Sequence, residues 1–465
     1  MIVRMLAVLS ESLLRSDRAV TLGRLLLCLT LASGAVPAFG QAGGAGLGAQ
    51  AVGGITIDAD GIIRNLEPRA LEELAEKRRQ ALAGKPLGAA GRREFQKVSL
   101  RRIIAAIQNA VEQGEQVPAD VLTLGGLERI DFVFVDPDAR DLVLAGPGDA
   151  AVIDATGNLL AAGSGRPLLL LEDFIVALRA IDAARMGGMQ CSIDPSPQGL
   201  AQLQALLGSV GSLNNPQALY RRMEQALGPQ QVTVGGVPAD SHFAQVLVAA
   251  DYRMKRIGMG LEPSGLPGLP SYLAMVPASF GGSVLPRFWL EARYDPIARD
   301  PDELAWKLTG RKLVCLTESD LLAREGLQRG GGRADTVAKR WCELLTKHYD
   351  DLATRQPVFA ELANCVDLAV VAALIDSRQL AARAGLDLGP LLDDANLSLP
   401  VYAIPRQVPT VASGIKKGNR WVLSASGGVQ FQPWAFVDGP LEVADLGQQR
   451  SHALAARPQT GFCWQ

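Results

Sequence analysis

This 465-residue sequence contains few histidines and almost no net charge. It also has few candidate metal-binding motifs. The three histidines, His242, His348 and His452, are too few and too scattered for a His-rich metal site. Lys and Arg total 46 and Asp and Glu total 48, so the formal net charge is −2. A surface with balanced charge gives no overall field that would recruit nucleic acid. We therefore expect no metal, no cofactor and no nucleic-acid partner.

The sequence also lacks the strong catalytic motifs. It has no G-x-S-x-G elbow, no Walker loop, no H-E-x-x-H and no EF-hand loop. Gly44, Gly46 and Ala49 have the spacing of a dinucleotide fingerprint, but no strand precedes them, so we reject that interpretation. The six cysteines include no C-x-x-C pair for zinc or redox work. These patterns assign no catalytic residue.

The first 40 residues have the three-part pattern of a secretory signal. Arg15, Arg18 and Arg24 precede the apolar run Leu25–Val36, and Pro37 and small residues follow it. The run has twelve residues, whereas a membrane span needs about 20. We predict a signal peptide over residues 1–40, cleaved near Ala38 or Gly40. The mature protein is then exported, periplasmic or extracellular, with no membrane span after signal removal.

The remaining chain alternates helical and strand patterns, and 48% of the whole sequence is hydrophobic, enough for a sizeable core. The alternation predicts a mixed α/β or α+β fold with two or more packed lobes. We divide the chain into a Gly-rich linker at 41–54, an N-terminal α/β region at 55–190, a middle α/β region at 191–285, a C-terminal α+β region at 286–436 and an irregular tail at 437–465.

Several elements have clear signals. Ser99 is a helix cap followed by apolar residues at helical spacing. Strands are predicted at Arg129–Val135 and Asp141–Ala145, and helices at Glu172–Ala184, Thr336–Leu352 and Pro357–Ile375. The last of these is apolar on all sides in its C-terminal half, which is typical of a buried helix.

Five cysteines remain after signal removal: Cys191, Cys315, Cys342, Cys365 and Cys463. Most are expected to be buried as small hydrophobic residues. A short connection joins the helices that carry Cys342 and Cys365. If a disulfide forms, we predict that it links these two residues, provided that their Cα atoms lie within about 7 Å.

Three polar clusters leave a structural and a functional interpretation open. Asp58 with Asp60, and Asp136 with Asp138 and Asp141, suit turns but could ligate calcium. His242 beside Asp240 and Ser241 fits a helix N-cap or a Ser/His/Asp site. The basic stretch Arg64–Arg102 fits a solvated helix face or contact with an anionic envelope polymer. The sequence does not decide whether the partner is an envelope polymer or a protein.

One loop is long for a connection between elements. Gly258–Ser271 contains four Gly and three Pro and follows a helix that ends near Ile257. Loops of this length often border a binding site. We predict that it borders the principal cleft, with Asp251, Arg253, Lys255 and Tyr272 as binding residues. The alternative is a rigid surface connection beside an ordinary ion pair between Asp251 and Lys255.

Six stretches carry a family resemblance, and they lie at residues 54–61, 97–102, 142–147, 191–195, 249–260 and 367–375. Two examples are Cys191-Ser-Ile-Asp-Pro195 and the run AADYRMKRIGMG from Ala249 to Gly260. The chain resembles an exported domain-of-unknown-function family of planctomycete bacteria. The resemblance implies export and one evolutionary unit, and it implies no catalytic residue because the family has no established activity.

Two functions follow from this sequence as hypotheses. The first is a non-enzymatic periplasmic or envelope protein for binding or assembly, because strong catalytic motifs are missing. The second is an exported hydrolase with a carboxylate-based active site, which a single sequence does not reveal. The shape of the main cavity separates them, since a hydrolase of this kind needs two carboxylates in a deep cleft.

Overall fold

The computed structural model describes residues 51–82, 88–209, 216–277, 286–323, 326–332, 336–394, 397–411 and 425–465. The predicted signal peptide, with Ala38 and Gly40, lies outside these residues, as does most of the predicted linker. The linker prediction is wrong for its last four residues. They belong to a hairpin that starts at Ala51, because Val52 is buried against the core.

The N-terminal hairpin region forms a small antiparallel sheet. Its strands are β1 (Ala51–Val52), β2 (Ile55–Ile57) and β3 (Ile63–Asn65). Asp58 closes the turn before β3 by accepting hydrogen bonds from the backbone N–H groups of Asp60 and Ile62. Its carboxylate therefore has the turn role that short polar side chains commonly have.

A larger mixed sheet of thirteen strands runs through the molecule in the order β13-β9-β8-β14-β10-β11-β5-β6-β4-β16, with β12 on β11, β15 on β10 and β7 on β6. Its strands are β4 (Gly88–Ser99), β5 (Phe132–Asp136), β6 (Asp141–Ile153), β7 (Leu159–Ala161), β8 (Met189–Pro195), β9 (Gln230–Gly235), β10 (Pro286–Arg299), β11 (Ala305–Ala323), β12 (Gly326–Gly332), β13 (Gln407–Val408), β14 (Ser426–Phe431), β15 (Leu441–Glu442) and β16 (Cys463–Trp464). Strand β10 is parallel to β14 and β15, and the other pairs are antiparallel.

The helices alternate with these strands along the chain. They are α1 (Pro68–Leu82), α2 (Leu100–Gln113), α3 (Ala119–Leu122), α4 (Leu171–Gly187), α5 (Pro197–Ser209), α6 (Pro216–Leu227), α7 (His242–Gly258), α8 (Tyr272–Met275), α9 (Thr336–Lys347), α10 (Tyr349–Arg355), α11 (Pro357–Ser377), α12 (Leu380–Ala384), α13 (Gly389–Leu392) and α14 (Asp445–Ala455), with 3-10 turns at Leu124–Gly126 and Pro433–Phe436. The prediction of a mixed α/β fold is confirmed. The predicted helix Thr336–Leu352 is interrupted at His348, where α10 begins.

Side-chain alternation along the central strands builds two cores, because successive residues of a strand point to opposite faces. Val133, Val135, Leu142 and Leu144 belong to the larger core, together with α4, α7, α9 and α11. Phe134, Val143 and Ala145 belong to the smaller core on the other face. The sheet is therefore packed on both faces at its centre.

The C-terminal residues close the smaller core. Leu446 and Ala453 of α14 and Trp464 of β16 are buried there. The prediction of an irregular tail over residues 437–465 is wrong, because three apolar side chains in a mostly polar segment are enough to hold a helix and a strand against the sheet.

The predicted regional boundaries stay predictions. The larger sheet takes strands from all three predicted regions, and β8 runs across the 190/191 boundary. We therefore describe every cavity below by the elements that line it and not by region.

Helix α11 is the central helix of the larger core. It packs against α4 and α7, and it is long and apolar enough to cross a membrane by length and composition alone. Our expectation of no membrane span after signal removal stays a prediction. Inside the protein, 94% of the apolar window is buried, so the helix has the role of a core element, as its all-round apolar pattern predicts.

Candidate functional site

The largest concavity that we describe lies between the N-terminal hairpin, the loop after α7 and the junction of α10 with α11. We call it the loop cleft. It has a volume of about 350 Å³ and is lined by Gly53, Gly54, Leu71, Thr156, Asn158, Arg253, Glu262, Pro263, Arg355, Gln356, Pro357 and Val358. This volume is in the range of small-molecule sites.

Arg253 holds two walls of the loop cleft together. Its guanidinium donates from Nε to the carbonyl oxygen of Gly53 (3.0 Å) and from Nη2 to that of Gly54 (2.9 Å). It also donates from Nη1 to Glu262 Oε1 (2.5 Å), which accepts a second bond from Arg256 Nε (2.6 Å). These bonds fix the hairpin and the loop to helix α7.

The carboxylate of Glu262 is held ionised in this network. Burial alone would raise its pKa, but Arg253 and Arg256 keep the pKa below its ordinary value. The single carboxylate of Glu262 is therefore shared between the two guanidiniums of Arg253 and Arg256. Charge-assisted bonds of this kind are about twice as strong as neutral ones.

Gly53 lets the hairpin approach α11. Its φ is +58°, and a Cβ atom there would lie 2.7 Å from Val358 Cγ2. Both the backbone conformation and the close contact exclude a side chain. Val358 and Pro357 consequently form an apolar floor directly below the hairpin.

Arg355 is a charge in the lining of the loop cleft for which the described residues offer no opposite partner. It is the last residue of α10 and its side chain is exposed. Within the described residues, no carboxylate lies within salt-bridge distance of it. The cleft therefore offers one guanidinium beside an apolar floor, with the side chains of Thr156 and Asn158 on the same lining.

The loop Gly258–Ser271 is pinned at several points. Ser264 Oγ donates to the carbonyl oxygen of Leu269 (2.6 Å), and Trp341 Nε1 donates to that of Pro270 (3.0 Å). Gln356 Nε2 reaches the carbonyl oxygen of Pro263 (3.4 Å). Glu262 and Pro263 of this loop line the loop cleft. The binding role of the loop stays a prediction.

The four predicted binding residues separate in space. Arg253 lines the loop cleft, but Asp251, Lys255 and Tyr272 do not. Lys255 Nζ donates to Asp251 Oδ2 (2.7 Å) and to the carbonyl oxygens of Ile193 and Gly427, under the sheet. The intrahelical pair is thus present but buried, because nearly every face of α7 is covered.

Asp251 and Tyr272 have core surroundings. Burial raises the pKa of Asp251 to about 6, although Lys255 opposes the rise. Tyr272 is 1% exposed, and its ring packs edge-on against Phe288. Lys255 borders a smaller cavity of about 40 Å³, beside Tyr252 and Arg256.

A second group of charges surrounds a small cavity deeper in the core, and we call it the buried charge cluster. His242 Nδ1 lies 2.9 Å from Asp173 Oδ2, and both side chains line the cavity with Arg78, Glu361 and Asn364. The cavity has about 40 Å³, room for roughly one or two water molecules.

Two pKa values in the buried charge cluster are both raised, for different reasons. Burial raises the pKa of Glu172 to about 7, and Tyr402 donates its hydroxyl to that carboxyl at 3.1 Å. Burial alone would lower the pKa of His242, but the Asp173 carboxylate raises it to about 9. His242 is therefore an imidazolium paired with Asp173 at neutral pH.

Glu361 is the group in the cluster that could act on a bound molecule. Burial raises the pKa of its carboxyl. Its Oε2 is buried and has no hydrogen-bond partner among the residues that the structure describes. A carboxyl in this state can accept a hydrogen bond from a water molecule or a small ligand in the cavity.

The Ser/His/Asp interpretation of Asp240, Ser241 and His242 is wrong. Ser241 Oγ accepts from the backbone N–H of Ala244 and is a helix cap, and the partner of His242 is Asp173 on α4. Sequence reasoning missed Arg78, Glu172, Asp173, Glu361 and Tyr402. The available signal was Glu172 and Asp173 directly before the apolar run Phe174–Leu178 of a helix, since buried carboxylates are uncommon without a partner.

The acidic turn clusters also have structural partners. Asp136 accepts from the backbone N–H of Ala139, and Asp141 accepts from Ser99 Oγ and from the backbone N–H of Arg101. Arg457 lies 3.1 Å from both carboxylates. Over the described part of the chain, no group of three His, Cys, Asp or Glu side chains could hold a metal ion.

A polar groove of about 290 Å³ lies on the larger sheet, on the face opposite the larger core. Gln190, Ser192, Arg287, Trp289 and Glu318 line it, from strands β8, β10 and β11. Gly428 stands between Ser192 and Trp289 in the strand register, and a Cβ atom there would lie 1.9 Å from the carbonyl oxygen of Cys191. The alternating polar residues of β8 and β10 were the signal that sequence reasoning passed over.

Comparison with known proteins places part of this architecture in a family. A family model described as a protein of unknown function (DUF1598) matches residues 191–272. Neither the comparison with curated proteins nor the comparison with solved structures found a match. The matched residues include β8, β9, α7 and the loop with Glu262 and Pro263. A DUF1598 domain is therefore found at residues 191–272 of this chain.

Proposed function

We propose that this protein is an exported, non-enzymatic binding protein and that its ligand occupies the loop cleft. The observation that carries the proposal is the unmatched guanidinium of Arg355 above an apolar floor, in a cavity of about 350 Å³. The other described charges of the lining, Arg253 and Glu262, are used to hold the walls. Among the described lining residues, Arg355 is thus the charge available to bind an anionic group.

The ligand class follows from the lining. A guanidinium recognises a carboxylate or a phosphate by paired hydrogen bonds. Leu71, Pro357 and Val358 offer apolar contact beside it. We infer a small molecule or a chain end with a carboxylate next to a short apolar segment. Such a group occurs in the envelope polymers and proteins that an exported protein meets.

The test compares binding of acetyl-dileucine with a free carboxyl group and of its carboxamide, by calorimetry with the full mature chain. We expect the free acid to bind and the amide to bind at least about tenfold more weakly, because a charged hydrogen bond contributes about 1.5–3 kcal/mol. Arg355→Gln should remove this preference. Arg340→Gln is the matched control, since Arg340 is exposed on α9 and pairs with exposed Glu343. No binding of either probe, or equal loss in both variants, would overturn the assignment.

Export is part of the proposal and has its own test. The supporting observations are the basic residues before Leu25, the apolar run to Val36 and the small residues after it. Mass spectrometry of the mature protein should give a new N-terminus between Phe39 and Gly43. An intact Met1 in the cytoplasmic fraction would contradict export.

A hydrolase remains the alternative because Asp173 and Glu361 both line the cavity of the buried charge cluster beside His242. Two carboxylates around a reacting bond are the pattern of glycoside hydrolysis. The cavity of about 40 Å³ holds water but no sugar ring, which is why we favour binding. Turnover of nitrophenyl glycosides that disappears in Glu361→Gln, with unchanged unfolding midpoint, would reverse this choice.

A further inference from the structure

Two cysteines from different elements meet in the larger core. Cys315 lies on strand β11 and Cys342 on helix α9, and their Sγ atoms are 3.3 Å apart. Both residues are buried, and all five cysteines among the described residues are free thiols in this structure. A disulfide bond has a sulfur separation of about 2.05 Å, so a shift of roughly 1 Å in side-chain position would allow the bond.

The surroundings hold these two sulfurs together. The backbone N–H of Cys315 donates to Thr346 Oγ1 on α9 at 2.9 Å, which fixes the helix on the strand. Trp341, next to Cys342, is fully buried and packs on Phe288 of β10. Met254 is the third sulfur nearby, at 4.0 Å from Cys315 Sγ.

Cys365 is not the partner of Cys342. Burial raises the pKa of its thiol well above the ordinary value, and the neighbouring Asp173 carboxylate raises it further. The helices that carry Cys342 and Cys365 are separated by α10, so they are not the directly connected antiparallel pair that the sequence predicts. The structure replaces that pair with Cys315 and Cys342.

We propose that Cys315 and Cys342 are a disulfide site that is oxidised when the protein folds outside the cytoplasm. The reaction is exchange with an oxidised dithiol protein or with a small disulfide. One cysteine thiolate attacks the carrier disulfide and forms a mixed disulfide, and the second thiolate then displaces the carrier thiol. Two protons and two electrons pass to the carrier, which leaves as two thiols, and one Sγ–Sγ bond forms. Oxidation outside the cytoplasm rests on the proposed export, whereas the pairing of Cys315 with Cys342 does not.

Oxidation precedes the final packing of α9. Burial raises the pKa of the Cys315 thiol well above its ordinary value, and a thiol without thiolate character exchanges slowly. Once formed, the bond would link β11 to α9 across residues 316–341 and restrict the unfolded chain. The product is a structural bond that resists reduction in the native protein.

The first experiment uses the full chain expressed with its N-terminal segment and recovered from an oxidising compartment. Free thiols are alkylated under denaturing conditions, and peptides are mapped without reduction. We expect one linked peptide pair that contains Cys315 and Cys342, two hydrogen masses below the sum of its parts, and three alkylated cysteines. Thermal unfolding should shift down by about 5 °C after reduction under denaturing conditions and refolding. Five alkylated cysteines in the secreted protein would overturn the proposal.

Two variants and one refolding reaction separate the pairing from export. Cys342→Ser should leave four free thiols and no linked peptide. Cys365→Ser is the matched control and should keep the linked peptide with two free thiols. If the chain is not exported, the mature sequence refolded with reduced and oxidised glutathione still has to give the Cys315–Cys342 link. A different pairing, or none, in that reaction would contradict the proposal whatever the fate of the signal.

Discussion

The charge on His242 links the stability of the larger core to pH. Its pKa is about 9 in the folded protein, against an ordinary value of 6.5, because Asp173 outweighs the effect of burial. A group with a raised pKa stabilises the fold fully below its unfolded pKa, and that contribution is lost as pH rises through the folded pKa. Glu172 also makes the fold less stable as pH rises, but in a lower pH range. Its pKa is raised from 4.5 to about 7, so its stabilising contribution is lost between these values.

We therefore expect the free energy of unfolding to fall as pH rises from 6.5 to 9. His242→Gln should flatten the fall in this window, although it lowers stability at every pH because Asp173 loses its partner. The measurement is urea unfolding at pH 6.5, 7.5 and 9. His348→Gln is the control, because His348 pairs with exposed Asp351. Equal slopes in the wild type and both variants would show that His242 does not carry the effect.

At the scale of elements, the N-terminal hairpin forms one wall of the loop cleft and depends on its contact with α11. The contact rests on the backbone of Gly53 and Gly54, to which Arg253 donates, and on Val358 below them. A hairpin of two- and three-residue strands has little stability of its own. Its position is thus determined by α7 and α11.

Gly53→Ala should detach this hairpin. The new Cβ would meet Val358 at 2.7 Å and would also oppose a φ of +58°. We expect a loss of about 2–4 kcal/mol in unfolding free energy, from strain and overpacking together. Hydrogen exchange should increase over residues 51–65 more than elsewhere.

Gly114→Ala separates the two causes of that loss. Gly114 has a φ of +66°, but a Cβ there would meet nothing within 4 Å. It should lose only about 1–2 kcal/mol. If both variants lose the same amount, the contact between the hairpin and Val358 does not contribute.

At the scale of the whole molecule, local patterns and long-range pairings differ in how well the sequence reveals them. The Ser99 cap, the strand turn at Asp136 and the buried helix Pro357–Ser377 were predictable, because capping and periodicity act within a few residues. The pairing of His242 with Asp173, and of Cys315 with Cys342, was not. Each joins elements whose neighbourhood is set by the order of strands in the sheet, which no local pattern encodes.

The C-terminal residues show the same limit and give the last prediction. Trp464 is 5% exposed, donates from Nε1 to the carbonyl oxygen of Ala453 (3.2 Å) and lies on β16 beside β4. A single aromatic residue near the chain end has no periodicity, so its role in the smaller core could not be predicted.

Trp464→Ala should lower the free energy of unfolding by about 3–5 kcal/mol, the usual cost of truncating a buried tryptophan. Trp434→Ala is the matched control, since Trp434 is only partly buried and lies against Arg185, and it should lose less. Denaturant unfolding followed by tryptophan fluorescence and circular dichroism measures both. A loss for Trp464→Ala no larger than that for Trp434→Ala would mean that the smaller core is closed without the chain end, and α14 alone would then cover this face of the sheet.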